Sequence, residues 1–391
     1  MKKHIKNPVN AVLQWGLVAS SLMGTLFAAT PYNIGSEYLS HPRELTIPGS
    51  FAYDYAPSMM RDGNTGRSYW LGTNPQWQLG NWNQSYGGDC IMYATGDAIN
   101  RLPGASGAAS ITWNISNTPV LIPRGIAGTF DEGLVGDPTV LRNEAQTAYY
   151  LFYGGAPHDG NHNQVGSAQS SGPTGFVRRD NGNPLIQYRS PKAWGTCYGT
   201  GQPSATKGGD GKYYMIFTNV RRISSGGGLA GATHAIRADD VSFTNNVDEY
   251  NGSGWTRILT GGKPAGAVLP VAFTAPLYGG SHVMDIAYHT VVQRFIITDR
   301  ASNDSYRLRF RTGSFGNMTD TATIAVTNSI RDSQPALWRN QEGHITHHTA
   351  SNPSGRTSRF TLFYQKCLPG RDPANIFYYD IHAKDFHLDI P

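Results

Sequence analysis

Five stretches of this chain read alike, and no other feature limits its fold so strongly. APSMMRDGNTGRSYWLG from Ala56, DPTVLRNEAQTAYYLFYGG from Asp137 and QPSATKGGDGKYYMIFTN from Gln202 share one frame. DIAYHTVVQRFIIT from Asp285 fits it too, as does QPALWRN from Gln334 followed by SRFTLFYQ from Ser358. Each reads as a short strand, a polar turn and an aromatic-rich strand. Apolar runs such as YYLFY and YYMIF, bounded by Gly, Asn or Asp, suit strands buried on both faces. Third strands follow as CIMYATGDAI, VGSAQSS, THAIRADDVSF, YRLRFRTG and IFYYDIHAKDF; ITWNISNTPVLI, NPLIQY and WTRILT read as fourth strands. Four strands in five copies predict an all-β fold, a five-bladed β-propeller. The fifth copy lacks an outer strand. RELTIPG, at Arg43 to Gly49, resembles the fourth strands, so an N-terminal strand is expected to complete the last blade and close the ring.

Composition agrees with many short strands and tight turns. The 391 residues include 46 glycines and 23 prolines, which interrupt the stretches after residue 30 that would otherwise carry a helical period. With 11% aromatic and only 15% charged residues, a disordered chain is excluded.

Residues 1–29 read as a secretory signal and 30–391 as one propeller domain. Lys2, Lys3 and Lys6 precede a mostly apolar run from Val12 to Phe27, and Ala28 and Ala29 offer a cleavage point. The expected product is a secreted monomer, extracellular or periplasmic, with no membrane contact once the signal is gone. Losing three lysines lowers the net charge from +5 to +2, which gives no electrostatic footprint for nucleic acid. The pairs Arg178-Arg179 and Arg221-Arg222 read as solvated turn residues. Cys90, Cys197 and Cys367 show no CxxC spacing, and one disulfide or three free thiols both fit.

In a propeller the inner strand of each blade opens at the central axis, on the face that carries the loops between second and third strands. The repeat frame therefore sends Ala56, Asp137, Gln202, Asp285 and Gln334 toward one depression, and Asp54 points to the same side as Ala56. The loops on that face carry Trp77, Trp82, His158 and Trp194. Flat aromatic faces among amides and carboxylates suit sugar rings. His282, three residues before Asp285, is placed to bind substrate or hold a central structural ion or water. No cofactor is required, and neither an HExxH zinc motif nor a GxSxG elbow is present.

At these residues the chain resembles the five-bladed propeller glycosidases, the clan of glycoside hydrolase family 43 arabinanases and xylosidases and family 32 fructosidases. APSMM, GDPTVLR with YYLFYGG, and GQPSAT with GKYYMIFTN are the closest matches. The resemblance implies that Asp54 acts as base or nucleophile and that Asp137 orients substrate and tunes a neighbour's pKa. It also implies a Glu as general acid where this chain has Gln202. Glutamine carries no acidic proton, so Glu132, in the loop before Asp137, or Asp285 would have to supply it. Two functions are open: a glycosidase working by carboxylate acid/base chemistry, and a carbohydrate-binding propeller that lost its proton donor.

Overall fold

The computed structural model describes residues 27–29, 31, 34–41, 54–73, 89–104, 107–116, 118–157, 162–188, 197–222, 229–279, 284–302, 304–316, 318–326, 334–347, 357–367 and 379–390. Among them, no helix is long and apolar enough to cross a membrane.

Five antiparallel sheets surround one axis. The first blade runs outward through Asp54–Asp62, Thr65–Thr73, Asp89–Asp97 and Trp113–Ile115. The second uses Leu134–Arg142, Tyr149–Ala156, Gln164–Ser170 and the short Val177–Arg178. The third uses Cys197–Lys207, Tyr213–Arg222, Leu229–Ala238 and Asn245–Tyr250, with Trp255–Gly262 as a fifth strand. The fourth uses Met284–His289, Arg294–Ser302, Ser305–Thr312 and Met318–Ala325. The fifth begins with Ala336–Leu337, Thr357–Cys367 and Tyr379–Asp389.

An N-terminal strand closes the ring, as expected, but an earlier segment does it. Glu37–His41 pairs antiparallel with Tyr379–Asp389, and Lys366 Nζ meets Glu37 Oε2 at 2.6 Å. Arg43 to Gly49 lies outside the described residues. Two other assignments shift: the second blade's outer strand is Val177–Arg178, whereas Ile186 of NPLIQY makes only a bridge to Val165. WTRILT forms the third blade's fifth strand, not its fourth. The backbone of Phe27–Ala29 runs parallel to the fourth blade's outer strand, so a cut after Ala29 would remove this strand from that sheet.

Five apolar clusters fill the five gaps between neighbouring blades. The run YYLFY shows why its pattern is continuous. Tyr149, Leu151 and Tyr153 pack against the first blade, while Phe152 turns to the third. Alternation by two therefore feeds two different cores, and polar positions have nowhere to go. Arg178 is not a solvated turn residue: its Nε lies 2.5 Å from Asp131, a fully buried carboxylate.

Two levels of side chains line the axis. At the lower level, an inner-strand side chain of one blade accepts a backbone N–H from the next. Ser58 Oγ accepts from Val140 at 3.2 Å, Thr139 Oγ1 from Ala205 at 3.4 Å and Ser204 Oγ from Ile286 at 3.1 Å. Asp285 Oδ2 continues the series, accepting from Leu337 at 2.8 Å. Arg339, from the fifth blade, crosses the middle. Its guanidinium meets Asp285 Oδ1 at 3.1 Å, the Ala205 carbonyl at 3.1 Å, Thr139 Oγ1 at 3.0 Å and the Ile286 carbonyl. Its backbone pairs with Met60 of the first blade. One fully buried residue thus touches all the other blades.

Candidate active site at the mouth of the axis

Two residues before the lower level, three inner strands share the same distortion. Pairing jumps between Tyr55 and Ser58, between Gly136 and Thr139, and between Gly201 and Ser204. Each jump leaves one extra residue on the inner strand, a β-bulge ahead of a proline that has no N–H for the ladder. The residues in these bulges are Ala56, Asp137 and Gln202, with φ of +48°, +49° and +53°. This left-handed conformation normally belongs to glycine and costs other residues about 1–2 kcal/mol. Strain repeated at three equivalent positions, all at one end of the axis, marks the place where side chains are aimed.

Asp137 is 7% exposed. Its carboxyl is pushed up to about 7, first by burial and then by the negative charge of Asp89. Gly154 faces it from the adjacent strand: a Cβ there would stand 3.5 Å from Asp137 Oδ2 and 3.9 Å from the Gln202 backbone nitrogen. Gln202 is turned into its own blade, its Oε1 accepting the Thr218 hydroxyl at 2.9 Å. Asp54 opens the first inner strand and receives the Trp70 indole N–H at 2.7 Å, which fixes the orientation of its carboxylate. Gly72 leaves room for that indole, since a Cβ there would lie 3.1 Å from Trp70 Nε1. Gln334 occupies the corresponding position in the fifth blade. It is buried, and its Oε1 has no hydrogen-bond partner among the described residues.

Asp285 stands elsewhere. The ring of hydrogen bonds aligns it with Ser58, Thr139 and Ser204, two residues beyond the level of Asp137. Ser204 Oγ donates to its Oδ1 at 2.6 Å, and Leu337 and Arg339 take the rest of the carboxylate. That is the setting of a structural ion pair, not of a proton donor. The frame slips here because the fourth unit has no proline to anchor it. Glu132 folds back on its own turn, Oε2 accepting Gly128 N–H at 3.0 Å. It precedes Asp137 by five residues, about 16 Å of extended chain. Trp77, Trp82, His158, Trp194 and His282 lie outside the described residues. Among the described residues, no three His, Cys, Asp or Glu side chains gather as a metal site needs.

Asp89 is the residue that sequence reasoning missed. It begins the first blade's third strand, opposite Thr73 and one residue from the row Asp54, Gly72, Cys90. Its signal was present, because an Asp opening a third strand emerges from a loop on the pocket face. Cys90 is a buried free thiol, with Sγ 3.3 Å from the Gly72 carbonyl.

No family model and no curated protein matches this chain. Solved structures do. A family 117 glycoside hydrolase of the marine bacterium Zobellia galactanivorans superposes over 93% of this chain and 91% of its own, at 14% identity and a TM-score of 0.55. The fold is that of the five-bladed propeller glycosidases. Two further structures resemble it less well. RS223-β-xylosidase covers 88% of this chain and 94% of its own, at 11% identity and a TM-score of 0.49. The catalytic domain of a Coprinopsis cinerea family 62 α-L-arabinofuranosidase covers 92% and 96%, at 11% identity and a TM-score of 0.46.

Proposed function

We propose that this protein is a glycosidase, exported from the cell as a monomer, that cleaves glycosidic bonds in a polysaccharide or oligosaccharide at the mouth of its propeller axis. One observation carries the reading: at that end the buried Asp137 carboxyl is held near neutrality by burial and the like charge of Asp89, while Asp54 opens the first inner strand. Glycoside hydrolysis needs a carboxylate and a carboxylic acid in one pocket, and such an environment separates their proton affinities. Asp54, oriented by Trp70, is the base. Among the described residues, the buried Gln334 Oε1 has no hydrogen-bond partner, which leaves an acceptor near that mouth.

The test is release of reducing sugar from arabinan, xylan, fructan and mannan oligomers. Turnover is expected from the native chain, with a fall of about 10²–10⁴-fold in both Asp54→Asn and Asp137→Asn. Gln202 favours a second reading, a sugar-binding propeller without turnover. Saturable binding of one oligomer that survives Asp54→Asn, with no product from any of them, would replace the first reading by the second.

A further inference from the structure

The proton donor is the open part of that site, and its assignment rests on the glycosidase reading. Gln202 has no acidic proton to give. Asp285 is locked between Ser204, Leu337 and Arg339, and Glu132 serves its own turn. Asp54 already receives an indole N–H, the arrangement of an acceptor. Among the described carboxyls weighed for this role, Asp137 remains, and its surroundings are built around it. Gly136 brings the bulge hard against the first blade, where a Cβ would fall 2.1 Å from Leu71 Cδ1. Gly154 puts no side chain against the carboxyl on the side of the Gln202 backbone nitrogen. The first blade supplies the like charge, Asp89.

We propose that Asp137 is the catalytic acid of this site and that Asp89 is its positioning partner, the two together replacing the absent glutamic acid. Asp89 brings a like charge to the buried Asp137 carboxyl, so the two resist being charged together and the proton stays on the more buried partner. In the reaction, Asp54 takes a proton from water as its oxygen bonds to the anomeric carbon. The bond from that carbon to the glycosidic oxygen breaks, its electron pair stays on the oxygen, and the Asp137 proton caps it. Asp54 is left protonated and Asp137 ionised, and exchange with solvent restores both.

The probes are α-L-arabinofuranosides and β-D-xylosides with either a methyl or a dinitrophenyl leaving group, the second departing without protonation. Asp137→Asn is expected to lower kcat/KM on the methyl glycosides by about 10²–10⁴-fold and on the dinitrophenyl glycosides by less than about 10-fold. Asp54→Asn should depress both classes alike. Asp89→Asn should move the basic limb of the kcat/KM profile to lower pH, because the charge that holds the proton on Asp137 is gone. Equal losses of Asp137→Asn on both leaving groups would overturn the assignment while the glycosidase reading stands. An unmoved basic limb in Asp89→Asn would remove Asp89 from it. A native chain inert toward every probe and every oligomer would overturn both readings together.

Discussion

Two residues along each inner strand separate two rings that differ in almost every physical respect. The lower ring, Ser58, Thr139, Ser204 and Asp285 around Arg339, has every blade joined to the next and its ion pair fully hydrogen-bonded. The upper ring, Asp54, Ala56, Asp137, Gln202 and Gln334, holds left-handed residues, an amide oxygen with no partner among the described residues and a buried carboxyl beside the charge of Asp89. One ring commits its polar groups to joining the blades, and the other holds the groups that the proposed function assigns to a ligand. A protein can carry the second because the first is so well satisfied.

The sharpest way to break this contrast is Arg339→Ala. Removing one partner of a buried ion pair leaves the other charge uncompensated, and the expected loss is about 3–5 kcal/mol in urea unfolding. A loss near zero would mean that the hub does not hold the blades. Asp137→Asn should act in the opposite sense. A carboxyl at about 7 in the folded protein, against an ordinary 3.8, keeps its proton where the unfolded chain has lost it. Its contribution is therefore full below about pH 4, declines as pH rises toward 7, and stays low above. The neutral asparagine escapes that decline. It should make the protein more stable at pH 8 by on the order of 2–4 kcal/mol and leave it unchanged at pH 4. Paired unfolding curves at the two pH values check this, and equal shifts at both would sink it. Ala56→Gly probes strain alone. Relief of the left-handed alanine, less the entropy of a new glycine, should raise stability by about 0.5–1 kcal/mol in thermal melts.

Much of the fold was legible because strand alternation and turn chemistry are local. The aromatic runs announced strands buried on both faces, and the tripled X-Pro positions announced equivalent points on three blades. Legibility failed where the local signal failed. Without a proline in the fourth unit, Asp285 slipped by two residues, from the lower ring to the upper. NPLIQY looked like a strand yet makes only a bridge, since an outer strand is defined by pairing to its neighbour and not by its own pattern. Asp89 was passed over because its meeting with Asp137 joins two blades 48 positions apart in the chain.

By itself the sequence determined the repeat, the five-bladed ring and the equivalent X-Pro positions, all readable from residues close together in the chain. Tertiary structure decided which neighbours each carboxyl meets. Burial, a facing charge and a guanidinium across the axis set the proton affinity and the partners of each aspartate, and those neighbours arrive from other blades.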